Sequence, residues 1–174
     1  MKLKWLGHSA FEFVSDEGID ILVDPFIRAN PSCKIPIDDL NPDVICITHG
    51  HADHFGDAVE IARNSNSFVV CNYEISNYLQ RKGIDAIGIN VGAVISLDGI
   101  NIRMLDARHS SSYDFEMDRH YFGRSRGIAP FSRYPASVCA GALQSGIGKT
   151  RKLSVWILPE LAVASFGGKE KETK

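Results

Sequence analysis

Apolar and polar residues alternate over residues 2–14, and the alternation stops at Ser15-Asp16-Glu17-Gly18, so the pattern predicts a half-buried strand followed by a turn. A second strand is predicted over residues 19–23, ended by Asp24-Pro25. Three proline dipeptides, Asn30-Pro31, Ile35-Pro36 and Asn41-Pro42, make residues 28–42 loop or short irregular structure. The run over 44–48 is continuously apolar up to its last residue and predicts a buried strand. Residues 57–63 carry apolar side chains at 58, 59, 61 and 62, the spacing of a short helix. Residues 68–71 predict another strand. Ile75, Tyr78 and Leu79 place a helix over 73–81, with Gly83 as its stop. Strands follow over 86–89, 94–97 and 100–105, the last two joined by an Asp98-Gly99 hairpin turn. Beyond about residue 117 the period is lost. There, 153–158 predicts a strand, 159–164 a short helix and 167–174 a disordered end.

Strands alternating with short helices predict an α/β (α+β) domain, and 174 residues are enough for one core. The composition, 44% hydrophobic and 23% charged, is that of a water-soluble globular chain. The longest apolar runs are strand-sized, far short of the roughly 18 residues of a membrane helix, so no membrane partner is expected. Residues 1–5 lack the apolar stretch of a secretory signal, which predicts a cytoplasmic protein. The four cysteines, Cys33, Cys46, Cys71 and Cys139, show no CxxC spacing. Cys46 and Cys71 fall in buried strands and read as small core hydrophobes in a reducing compartment.

The candidate chemistry lies in His49-Gly50-His51-Ala52-Asp53-His54, directly after the apolar strand. Three imidazoles and a carboxylate fall within six residues, and a strand end running into a tight loop can aim several of them into one cavity. Gly50 and Gly56 relax the backbone on either side. Imidazole and carboxylate are ligands for zinc and similar divalent metals. A solvated loop would have to collect three of the chain's six histidines here by chance.

Four segments occur in order: 4–11 (Lys-Trp-Leu-Gly-His-Ser-Ala-Phe), 21–26 (Ile-Leu-Val-Asp-Pro-Phe), 48–57 (Thr-His-Gly-His-Ala-Asp-His-Phe-Gly-Asp) and 107–111 (Ala-Arg-His-Ser-Ser). Together they resemble the metallo-β-lactamase superfamily, and within it the small, mostly uncharacterised metal-dependent hydrolases related to ascorbate-6-phosphate lactonase. The resemblance covers about residues 1–116. It implies the N-terminal half of a four-layer αββα sandwich. It implies that His49, His51 and His109 hold a first divalent metal, zinc foremost with manganese, iron or nickel as alternatives. Asp53 and His54 would contribute to a second metal, and Asp53 would orient the nucleophilic water and accept its proton. Asp24 would orient the ligand loop as a carboxylate behind the ligands, although Asp before Pro is also an ordinary strand-ending turn. His8 would line the site, with a core or surface histidine as the equal alternative. The implied reaction is hydrolysis of a small-molecule ester, lactone or phosphoester.

The resemblance also implies a second half with a His-Ala-Gly-Asp-Thr-like motif and a late histidine, and neither occurs after His109. Residues 1–118 hold nine basic and eighteen acidic side chains, whereas 119–174 hold ten basic and three acidic. The chain therefore divides into a metallo-β-lactamase-like domain over 1–117 and an atypical basic tail over 118–174, with the second half truncated or replaced. An out-of-frame 3′ end would explain the charge flip, the lost period and the lost motifs together. The alternative to an active hydrolase is then a catalytically impaired homologue that binds one metal, and the exposed sheet face leaves a homo-oligomer open. Two other classes are weaker. Residues 145–150 (Ser-Gly-Ile-Gly-Lys-Thr) resemble the end of a phosphate-binding loop, but Leu143 stands where its first glycine belongs. The basic tail lacks a recognised nucleic-acid motif, so nucleic acid is not an expected partner.

Overall fold

The computed structural model describes residues 1–106, 109 and 111 in full, and the backbone alone of 137–143 and 153–154. Two sheets form. The first has six strands in the order β1 (Lys2–Gly7), β2 (Ala10–Val14), β3 (Asp20–Val23), β4 (Val44–Cys46), β5 (Phe68–Cys71) and β6 (Ala86–Gly88). Its first three strands are antiparallel and β3 to β6 run parallel. The second sheet has the order β10-β9-β8-β7, from β7 (Val94–Leu97), β8 (Ile100–Asp106), β9 (Ser137–Leu143) and β10 (Leu153–Ser154). The helices are α1 (Ala52–Phe55), α2 (Ala58–Ser65) and α3 (Tyr73–Arg81), with a 3-10 turn at Ile37–Asp39.

Parallel strands covered on both faces need apolar residues at every position, and β4 and β5 supply them. Ile45, Ile47, Val69 and Cys71 point into a core shared with Ile61, Ile75 and Leu79 of the helices. Val44, Cys46 and Val70 point the other way, onto Ile100, Ile102 and Met104 of the second sheet. Each of the largest buried side chains contributes about 1.5–3 kcal/mol. The described residues thus stack as helices, sheet, sheet, the order that the resemblance implies; a second helical layer would lie outside them. The phosphate-loop-like segment and most of the basic tail also lie outside the described residues.

Most elements follow the hydrophobic pattern. The helix over 73–81 appears with those bounds, capped by Asn72, whose side chain accepts from the Ile75 amide at 2.9 Å. The single turn α1 and strand β9 have no counterpart in the pattern, and the N-terminal element differs from it. The continuous strand read over 2–14 is a hairpin, β1 paired with β2, turning at His8-Ser9. Leu3 lies opposite Phe13, Lys4 opposite Glu12 and Trp5 opposite Phe11. A bulge between Trp5 and Gly7 makes the partners beyond it share parity in the numbering, so the alternation passes through the turn and hides it.

Cys46 and Cys71 are buried, and burial pushes the Cys46 thiol up to about 12 and the Cys71 thiol up as well. Both are inert core hydrophobes at neutral pH.

At the β2–β3–β4 end, Asp20 sits among carboxylates. Its Oδ1 is buried without a hydrogen-bond partner, and Asp43 accepts from its amide at 2.8 Å. Burial, then Glu12 and Asp43, raise its pKa to about 6 against a partial offset from Lys4. The folded state therefore resists ionisation that the unfolded chain allows. This penalty is full above about pH 6 and gone below about pH 4. Asp20→Asn is expected to raise the melting temperature at about pH 7.5 and to leave it unchanged near pH 4. Equal shifts at both pH values would contradict this.

Candidate metal centre

The site forms where β4 ends. Its alternation continues through Ile47 into Thr48 and His49, all three fully buried, so the first imidazole arrives on a rigid strand end. His51 then takes an extended backbone conformation as the N-cap of the single turn α1, which carries Asp53 and His54. Gly56 ends that turn at φ 41° and ψ −121°, and a Cβ there would lie 2.5 Å from the Pro25 carbonyl oxygen. The residue must be glycine because the 54–57 segment is zipped onto the loop after β3. The Asp57 amide donates to Pro25 O at 2.9 Å, and its carboxylate accepts from the Ile27 and Arg28 amides at 2.9 and 2.8 Å.

Asp24 stands at the end of β3, in the strand next to β4, and is 1% exposed. Its Oδ1 accepts from the Thr48 amide at 2.8 Å, and its Oδ2 accepts from Thr48 Oγ1 at 2.7 Å. The same Oδ2 lies 2.7 Å from His54 Nδ1. These contacts assign the ring protons. A carboxylate only accepts, so Thr48 spends its hydroxyl proton on Asp24. Thr48 Oγ1 must then accept from His49 Nδ1, 2.9 Å away. His54 likewise donates Nδ1–H to Asp24. Both imidazoles are left with an unprotonated Nε2, the atom a metal takes. Asp24 therefore acts beyond a strand-ending turn: one carboxylate sets the tautomers of two histidines.

The rings converge. His49 Nε2 lies 2.9 Å from His51 Nδ1. The His109 ring stands edge-on to both, with centroids 4.8 Å from His49 and 5.1 Å from His51. One nitrogen from each of His49, His51 and His109 lies within 4.8 Å of the others. His109 comes from beyond the end of β8. Two residues on, Ser111 Oγ accepts from the Gly50 amide at 3.4 Å, so the two segments meet backbone to side chain as well. A second group, His8, Asp53 and His54, meets the same distance criterion beside the first. The His49 and His54 centroids are 4.1 Å apart, so the groups adjoin.

The electrostatics suit a cation. Burial, then His54, His51 and His109, lower the His49 pKa to about 3 against a pull from Asp53. His51 is lowered by burial and by His109. Both rings are neutral at pH 7, and the His49 Nε2 lone pair faces His51 Nδ1. Burial alone would raise the Asp53 carboxyl, but His54, its own amide and His8 outweigh it, and Asp53 is held below the usual carboxylate range. Neutral imidazoles beside an ionised carboxylate form a donor set that a divalent cation fits.

The structure thus brings together His49, His51 and His109, and separately His8, Asp53 and His54, with Asp24 behind both. Sequence reasoning did not single out Thr48, which completes the link from Asp24 to His49. Its only signal was its place between an apolar strand and the first histidine.

A family model described as a beta-lactamase superfamily domain matches residues 2–122. The chain is 49% identical over 129 residues to a UPF0173 metal-dependent hydrolase of Methanosphaera stadtmanae, covering 74% of this chain and 55% of that protein. It is 51% identical over 114 residues to the corresponding protein of Methanobrevibacter smithii, covering 66% and 48%. Among solved structures, Igni18, a metallo hydrolase from Ignicoccus hospitalis, aligns with a TM-score of 0.60 and 32% identity, over 80% of this chain and 54% of that one. The chain spans about half the length of the curated relatives it matches.

Proposed function

The chain belongs to the beta-lactamase superfamily domain family, and on that footing we propose that it is a metal-dependent hydrolase of a small-molecule ester, lactone or phosphoester. The observation that carries this reading is the convergence of His49, His51 and His109, with the His49 tautomer fixed through Thr48 and Asp24. These three would hold the first cation, and three imidazoles favour zinc over the harder ions. A divalent cation bound there lowers the pKa of water from about 16 to about 7 and polarises the substrate oxygen. Asp53 and His54 would serve a second position. Asp53, ionised and half-exposed, faces the open side, where it can orient the attacking water and take its proton. The buried histidines keep the ligand loop rigid, so the cost of ordering it is met on folding rather than on binding. Among the described residues the thiols of Cys33, Cys46 and Cys71 are free, which suits the reducing, cytoplasmic setting of this reading.

Metal analysis of the purified chain beside His51→Ala tests the proposal. The wild type is expected to hold at least one equivalent of zinc, and the variant to lose it at unchanged fold by circular dichroism. Hydrolysis of a lactone and phosphodiester panel should follow metal content. A His51→Ala chain that keeps its metal refutes the ligand assignment. Metal retained without turnover would reduce the reading to a one-metal binding protein.

A further inference from the structure

We propose that His8 is a direct ligand of the second cation position, completing it with Asp53 and His54. This rests on the metal-centre reading above only through the loop that the two positions share.

One potential ligand atom from each of the three side chains lies within 4.8 Å of the others. His54 is already committed, since its Nδ1 faces Asp24 and its Nε2 is left unprotonated. Asp53 brings a carboxylate oxygen. The third atom, His8 Nε2, is shut off from solvent and lies 2.9 Å from Asp53 Oδ2. The imidazole is therefore turned toward the carboxylate through the same nitrogen that a cation would take, and a cation held between them would draw on both groups.

The backbone holds His8 in place for this. His8 has φ 51° and Gly7 φ 103°, so two successive residues adopt left-handed geometry at the hairpin turn. Gly7 is pressed against Asn30 and Ser32, where a Cβ would meet their side chains at 2.7–2.9 Å. Asn30 Nδ2 donates to Phe26 O at 3.0 Å and Leu6 O at 3.4 Å. Trp5 Nε1 donates to His8 O at 2.8 Å. The His8 ring then packs edge-on against His54 and Phe26, at 5.3 and 5.9 Å between centroids. Strained, non-glycine, left-handed residues persist where the surroundings over-determine them, and they cluster at ligand sites. The hairpin turn and the ligand loop are far apart in sequence, and in the sheet only β3 lies between β2 of the hairpin and β4, which carries the ligand loop. The turn therefore holds one imidazole toward the ligand loop.

The test is cobalt(II) titration of the full chain, followed by the visible absorption of bound cobalt and by counting equivalents after desalting. His8→Gly removes the imidazole while suiting the left-handed backbone, and His8→Asn is the second variant because asparagine tolerates the same geometry. The wild type is expected to take two equivalents. Both variants should keep the first, with its spectrum intact, and bind the second about tenfold more weakly or worse. Free imidazole should restore the second equivalent in His8→Gly, which a merely structural role would not permit. Two equivalents of unchanged affinity and spectrum in both variants overturn the proposal and leave the first position standing. A wild type that takes a single equivalent also overturns it, again sparing the first position. Failure of the wild type to bind cobalt at all overturns this proposal and the metal-centre reading together.

Discussion

Asp24→Asn is expected to weaken metal binding by roughly 10- to 100-fold and to destabilise the fold by on the order of 2–3 kcal/mol. The substitution isolates one atom's chemistry. Asp24 has φ 46°, a conformation that asparagine adopts readily, so the backbone is not disturbed. The Asn carbonyl can still accept from the Thr48 amide in place of Oδ1. Its NH2 then replaces Oδ2, an atom that faces two donors, the Thr48 hydroxyl and His54 Nδ1–H. Donor against donor is repulsive, and the pocket is too buried for water to mediate. His54 can relieve the clash by moving its proton to Nε2, which closes the nitrogen that a metal needs. Thr48 can relieve it by turning its hydroxyl toward His49, which forces the opposite tautomer there. Both routes spoil ligands that the substitution does not touch. A fall in melting temperature of roughly 5–10 °C should accompany the loss of affinity. Cobalt titration and thermal melts check the two effects separately. Unaltered affinity in a destabilised variant would show that Asp24 is structural only.

This dependence on one carboxylate marks the limit of what the sequence carried. The buried strand before the ligand loop is legible because Val44, Ile45, Cys46 and Ile47 leave no polar face, and a parallel strand with cover on both sides demands that. The helix over 73–81 is legible because Ile75 and Leu79 recur at helical spacing and share its inner face. The ligand segment stands out by composition alone. What composition cannot convey is pairing. Asp24 before Pro25 has the same one-dimensional form whether it ends a strand or fixes two imidazoles, and only the parallel pairing of β3 with β4 puts it beside Thr48. The single turn α1 is four residues long, too short to display a helical period. His8 is named through the resemblance alone, because the hydrophobic pattern does not show the turn. The bulge between Trp5 and Gly7 offsets the two-residue turn, so pairs such as Trp5 and Phe11 share parity and the alternation runs on through it.

Acid is expected to unfold the metal-free chain through its own ligands. His49 is fully buried, its Nδ1–H is spent on Thr48, and its Nε2 faces His51. Burial and the neighbouring imidazoles lower its pKa from 6.5 to about 3, whereas in the unfolded chain it protonates at its ordinary value. Below pH 6.5 the unfolded state therefore binds a proton that the folded state refuses, and stability falls with pH until the folded pKa is reached. At about pH 4.5 the loss from this residue is on the order of 2–3 kcal/mol. His51 is shifted in the same direction and adds to it. Asp20 opposes, because its raised pKa is relieved by acid, but it is partly exposed and screened, so it does not reverse the slope. Thermal melts of chelator-treated protein between about pH 7.5 and pH 4.5 should show the decline, and His49→Asn, which keeps a donor to Thr48, should flatten it. Saturating zinc should move the midpoint of the decline to lower pH, because cation and proton compete for the same Nε2. A hundredfold excess over the dissociation constant supplies about 2.7 kcal/mol, comparable to the acid penalty. A wild-type profile already flat without metal would mean that His49 is not held as a neutral, buried imidazole.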